Sequence, residues 1–196
     1  MIPTALNKSK ERLRKARQAI DALPTCTSAE AFNDTWFDFL VASNGIYIQL
    51  RLATKENAKS RQWFGGKTQE RKSDPLLQYL HQARNADEHG IEQTIRINPG
   101  SLRIGAATPG ALGEVTISGN LSKEFTITNT SNMPITITTT APTCHLVSVF
   151  DDRSGKTYDP PTAHLGTPIA DQSPVGVATL ALTYLSNLLD EADAFS

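Results

Sequence analysis

The sequence predicts an α+β protein: an N-terminal helical bundle, then a small antiparallel β region, then a C-terminal helix. Three observations predict it. Apolar residues recur at helical spacing up to about residue 90. From Ile91 onward short alternating stretches rich in Thr and Ile take over, divided by Gly, Pro, Asn and Ser. After Ser173 a broad apolar helical face returns. The pattern divides the chain at 1–90, 91–172 and 173–196, with the last helix free to pack on either part. With 39% hydrophobic and 20% charged residues, the 196-residue chain has enough apolar material for a core.

The first helix is expected from about Asn7 to Leu23, where Leu13, Ala16, Ile20 and Leu23 share a side and Pro24 stops it. Its other faces carry Lys8, Lys10, Arg12, Arg14, Lys15 and Arg17, either a solvated face or a contact for nucleic acid. In the second helix Thr27 and Glu30 fit a capping box. Phe32, Trp36, Phe39, Leu40, Tyr47 and Leu50 then fall on one stripe and are assigned to the core. Glu30, Asp34 and Asp38 stack four apart on another face. They read as a solvated stripe, and the chain lacks the Glu-x-x-His pair of a bundle metal site.

Between Lys55 and Ser73 the pattern loosens. Gly65 and Gly66 are expected to break the helix, while Arg61, Lys67, Arg71 and Lys72 offer cations suited to phosphate. A basic surface loop over a buried Trp63 and Phe64 accounts for the same residues. Asp74 as a cap and Pro75 at the first helical position open a third helix. Leu76, Leu77, Leu80 and Ala83 bury one side of it, and Gly90 ends it.

Strands are expected at Thr94–Ile97, Glu114–Ser118, Glu124–Thr128, Ile135–Thr139 and His145–Phe150. Asp151 to Gly155 reads as a hairpin turn. Ser173 and Pro174 start the last helix, whose apolar side holds Val177, Leu180, Ala181, Tyr184, Leu185, Leu188 and Leu189.

The net charge of −1 conceals an asymmetry. Residues 1–90 carry 14 Lys and Arg against 10 Asp and Glu, and residues 91–196 carry 5 against 10. Either the first half meets an anion or the two halves attract each other. Cys26 and Cys144 are too few for a disulfide framework or a zinc site and read as reduced, partly buried residues. The start of the chain lacks the apolar run of a signal peptide, and no stretch approaches a membrane span, so the cytoplasm is the expected compartment.

The end of the third helix carries the chemistry. Asn85 and His89 share a face with Gln78 and Gln82, while Arg84 borders the buried side with His81 and Glu88 nearby. An imidazole exchanges protons near neutral pH, and a guanidinium neutralises a phosphate bidentately. RNA cleavage without a metal requires those two tasks. A His in a last turn also suits the helix dipole, and Arg84 can pair with Glu88 four residues on. Asp87 and Glu88, however, have the wrong sign for a helix C-terminus.

The string Arg84-Asn85-Ala86-Asp87-Glu88-His89 resembles the signature of the HEPN superfamily, and the preceding helix resembles the one that leads into it. The resemblance covers roughly residues 5–90. It implies a helical bundle that pairs as a homodimer so that two motifs face one cleft. It also implies a metal-independent endoribonuclease of a toxin–antitoxin or defence system, or a relative that binds RNA or nucleotides without cutting. His89 would match the family's catalytic histidine, Arg84 its arginine and Asn85 the polar residue after it. RNA and an antitoxin protein are the implied partners, and no metal or cofactor is implied. Residues 91–196 lie beyond what the core family needs. A helical dimerisation domain with a β adaptor for proteins stands as the rival from another class.

Overall fold

The computed structural model describes residues 1–89, 93–107, 114–119, 125–130 and 134–195, with side chains at 87–89 outside the description. The helices are α1 (Pro3–Ala22), α2 (Ala29–Ala53), α3 (Ala58–Ser73), α4 (Pro75–His89) and α5 (Pro174–Asp193). Between α4 and α5 lie β1 (Ile95–Asn98), β2 (Ser101–Ala106), β3 (Val115–Gly119), β4 (Phe125–Asn129), β5 (Ile135–Thr140), β6 (Thr143–Leu146), β7 (Val149–Asp151), β8 (Lys156–Tyr158), β9 (Ala163–His164) and β10 (Thr167–Pro168). The fold is α+β, with N-terminal helices, small strand pairs and a C-terminal helix.

Two compact units are present: Met1–Ile97 together with Cys144–Ser196, and Asn98–Thr143. This division differs from segments at 1–90, 91–172 and 173–196. Residues 144–172 and the last helix belong with the N-terminal helices because their apolar sides share one core.

In the larger unit, α1 and α2 lie against each other. Gly45 permits the approach, since a Cβ there would meet Arg12 Cδ at 3.2 Å. The predicted stripe on α2 forms the centre of the core, with Trp36, Phe39, Leu40 and Leu50 almost wholly buried. Each such side chain contributes about 1.5–3 kcal/mol by leaving water. Leu76, Leu77, Leu80 and Ala83 of α4 and Val177, Ala181, Leu185, Leu188 and Leu189 of α5 join it.

Polar ties fix the strand segment onto the helices. Trp36 Nε1 donates to Thr94 Oγ1 at 3.1 Å, and the Tyr79 hydroxyl donates to the Val147 carbonyl at 2.7 Å. Asp74 caps α4 by accepting from Leu77 N at 2.9 Å. The same carboxylate meets His164 Nδ1 at 3.0 Å and accepts from Leu165 N at 2.7 Å. One buried Asp thus serves a helix start and a distant turn together. The two ends of the described chain also meet, the Met1 ammonium donating to the Phe195 carbonyl at 2.6 Å.

Several local expectations shift. The cap of α2 is Ser28, which accepts from Ala31 N at 3.0 Å, one residue after Thr27. Gly65 and Gly66 do not break a helix. They lie inside α3, whose start is fixed by Asn57 accepting from Lys59 N and Ser60 N. Each glycine costs about 1 kcal/mol in helix propensity, which buried Phe64 and Ser60 and this cap offset. Pro3 at the first helical position starts α1 earlier than Asn7. Ser173 caps α5, accepting from Gly176 N at 3.1 Å. The β7–β8 pair closes through the expected turn, with Gly155 at φ +66°. Gly90 lies outside the described residues.

The smaller unit contains two antiparallel ladders, β2 with β5 and β3 with β4. Register sorts their faces cleanly. Leu102, Ile104 and Ala106 stand opposite Thr139, Ile137 and Ile135, while Ser101, Arg103 and Gly105 stand opposite Thr140, Thr138 and Thr136. In the other ladder Ile117 faces Ile127, and Thr116 and Ser118 face Thr128 and Thr126. Each ladder therefore has one apolar and one polar side, as period-two alternation dictates.

Candidate functional site

Three helices of the larger unit converge on a surface groove of about 400 Å³. Helical spacing puts Asn44, Tyr47, Ile48 and Arg51 on one side of α2, Phe64, Thr68, Arg71 and Lys72 on one side of α3, and Gln78, His81 and Gln82 on one side of α4. These residues line the groove. Three of them are Arg or Lys and none is acidic. Ile48 is 42% exposed and forms part of an apolar floor with Tyr47 and Phe64.

Arg71 is the centre of the arrangement. Its guanidinium lies 4.3 Å over the Tyr47 ring, a cation–π contact. Its Nη2 donates to Asn44 Oδ1 at 3.3 Å and to His81 Nδ1 at 2.6 Å. A guanidinium only donates, so His81 Nδ1 accepts and the ring proton sits on Nε2. Burial lowers the His81 pKa to about 4, and the charges of Arg71 and Arg84 push it the same way, with Asp151 opposing. The ring is therefore neutral at physiological pH. Burial also pulls the Arg71 pKa down, and repulsion from Arg84 adds to this. Its pKa starts so high that the charge remains. All three named partners of Arg71 are neutral, so none of them balances its positive charge.

Behind the groove a small cavity, with room for about one water-sized group, shares Asn44, Tyr47, Arg71 and His81 with it. Ser43 lines this cavity, and its buried Oγ has no hydrogen-bond partner. Leu77 and Leu80 of α4 and Ala181 and Leu185 of α5 close the cavity. Burial pushes the Tyr47 phenol up to about 12, so it stays protonated at neutral pH.

The residues singled out from the sequence fall in different places. Arg71 and Lys72 line the groove. Lys67 instead pairs with Glu191 at 2.9 Å, beside Trp63 Nε1, which donates to the same carboxylate at 3.0 Å. Arg61 is exposed near the start of α3 and outside the groove lining. Arg84 is half-buried on α4, donating from Nη1 to Asn85 Oδ1 at 3.3 Å. Asn85 Nδ2 in turn donates to Gln82 Oε1 at 3.3 Å, which links the pair to the groove wall. The His89 side chain lies outside the described residues.

Sequence reasoning missed Asn44, Arg51 and His81 as site residues. The signal for His81 was its position four residues before Asn85 on the same helix. Asn44, Ile48 and Arg51 repeat at helical spacing beside Tyr47, and that polar edge of a core stripe was the trace they left.

Among the described residues, no helix is long and apolar enough to cross a membrane, and no group of three or more His, Cys, Asp or Glu is placed to hold a metal ion. Glu30, Asp34 and Asp38 are exposed, and Cys26 and Cys144 are free thiols, half-buried. Comparison with family models, curated proteins and solved structures finds no match for this chain.

Proposed function

We propose that this chain binds RNA through the α2–α3–α4 groove, with Arg51, Arg71 and Lys72 taking the phosphate backbone. The observation that carries this is a groove with three cations, no carboxylate among its described lining residues, and a half-buried guanidinium held by neutral partners. Like charges gathered along one wall favour an incoming anion. The exposed Ile48 beside Tyr47 and Phe64 supplies apolar surface for a base or sugar, and Asn44, Gln78 and Gln82 supply amide donors and acceptors. For three phosphates neutralised on a single strand, affinity falls by about two orders of magnitude per tenfold rise in salt. Titration of single-stranded RNA at several salt concentrations tests this, and binding indifferent to salt removes the reading.

Cleavage is the second reading, favoured by the position of Arg84. This residue is close enough to Arg71 and His81 for its charge to lower the pKa of both. In the mechanism that the motif resembles, His89 assists proton transfer as the 2′-hydroxyl attacks the adjacent phosphorus. Arg84 and Asn85 stabilise the charge that develops there. Two copies of the chain would supply two such motifs to one cleft. Replacing His89 with Ala then abolishes RNA cleavage in the presence of a chelator while leaving the thermal melt nearly unchanged. Intact RNA recovered from the wild-type protein leaves binding alone.

A further inference from the structure

We infer that the groove takes RNA by a terminal phosphate monoester, with one phosphoryl oxygen entering the cavity behind Arg71. The inference rests on the RNA-binding reading of the groove and narrows it to one end of the strand.

Where the groove meets the cavity, Asn44, Tyr47, Arg71 and His81 belong to both. Beyond them Leu77, Leu80, Ala181 and Leu185 close the space, so the site is blind on that side. A recess with room for about one water-sized group takes one oxygen of either ester. A diester then has one unesterified oxygen left for Arg71 and Lys72 at the mouth, whereas a monoester has two.

The chemistry of the recess points the same way. The Ser43 Oγ is buried there without a partner, although a buried hydroxyl ordinarily finds one. A phosphoryl oxygen is the acceptor that its proton lacks. Arg71 stands at the mouth, held over Tyr47 and tied to Asn44 and His81, so its orientation is set before a ligand arrives. A dianionic monoester also draws more from Arg71 and Lys72 than a monoanionic diester does.

The test uses the full chain and one short single-stranded RNA sequence in three forms: 5′-phosphorylated, 3′-phosphorylated, and with both ends as hydroxyls. A nucleoside 5′-monophosphate and inorganic phosphate serve as competitors. One phosphorylated form is expected to bind about tenfold or more tightly than the hydroxyl form. Ser43→Ala, which adds no bulk, and Arg71→Lys are each expected to shrink that preference while a thermal melt shows the fold intact. Equal binding of all three forms overturns the inference and leaves the RNA reading standing. Binding of the monophosphate with no affinity for any RNA form keeps the terminal phosphate but overturns RNA as its source. No binding of any probe overturns both. A preference that survives Ser43→Ala and Arg71→Lys unchanged places the end elsewhere and also overturns the inference.

Discussion

The Arg71 guanidinium donates from Nη2 to His81 Nδ1 at 2.6 Å, so a cation on α3 uses a neutral imidazole on α4 as its hydrogen-bond acceptor. Protonating that imidazole breaks the bond and sets two positive charges against each other. Burial, with this repulsion added, lowers the His81 pKa to about 4 in the folded protein, against an ordinary value near 6.5. Between about pH 6.5 and about pH 4 the unfolded chain binds a proton that the native protein does not. Stability therefore falls as pH drops through that window and levels off below it. The loss from this residue is about 1–3 kcal/mol, allowing for partial solvent screening. Urea unfolding of wild type and His81→Asn at about pH 7 and about pH 5 checks it. The variant has no titrating ring, so its loss between those two pH values should be smaller by roughly half of that amount.

Cations near the groove should separate by function. Arg71→Ala and Lys72→Ala each remove one phosphate partner and should reduce the salt slope of RNA binding by about 0.7–1. Lys67→Ala removes a partner of Glu191 on α5 instead and should leave the slope unchanged. Its effect on stability should be within about 1 kcal/mol, because the Glu191 end of the pair is well exposed. Binding isotherms for the three variants at matched salt series measure all of this.

Asp74→Ala should be among the most damaging single changes at a polar position. It removes the cap of α4 and leaves Leu165 N and the buried His164 ring without their acceptor. Losing a cap costs about 0.5–2 kcal/mol, and each stranded buried donor about 1–3 kcal/mol. A total loss of at least about 2 kcal/mol is expected in denaturant melts. A variant that melts like wild type would show that the turn at Leu165 does not depend on this carboxylate.

Tyr79→Phe isolates the tie between α4 and the strand segment. The phenol proton goes to the Val147 carbonyl, and burial holds the Tyr79 pKa well above its ordinary value. Removing the hydroxyl should cost about 1 kcal/mol without enlarging the core. Hydrogen exchange should accelerate around residues 146–148 more than along α1, since α1 does not share this bond.

The helices were legible because the driving force writes itself locally. Trp36, Phe39, Leu40 and Leu50 repeat at the period of an α-helix, and burying that stripe stabilises the helix that produces it. Asp74 and Ser173 announced their caps, since a short polar side chain before a helical Pro satisfies free backbone N–H groups. Gly65 and Gly66 misled because propensity is a weak preference, and the cap at Asn57 with buried Phe64 outweighed it. Strand β2 was not among the expected strands, although Leu102 and Ile104 alternate there with Ser101 and Arg103.

By itself the sequence determined most of the helices, several of the strands and which side of each is apolar, and it offered Arg71 and Lys72 among four cations suited to phosphate. These follow from spacing along the chain. Only the tertiary structure decided that residues 144–172 and α5 share a core with the N-terminal helices, and that Asn44, Arg71 and His81 meet. Apolar burial has no direction and no memory of sequence distance, so an amphipathic face specifies that it must be covered and leaves the covering element open. Asn44, Arg71 and His81 come from three different helices, and their contact exists only once those helices have chosen one another.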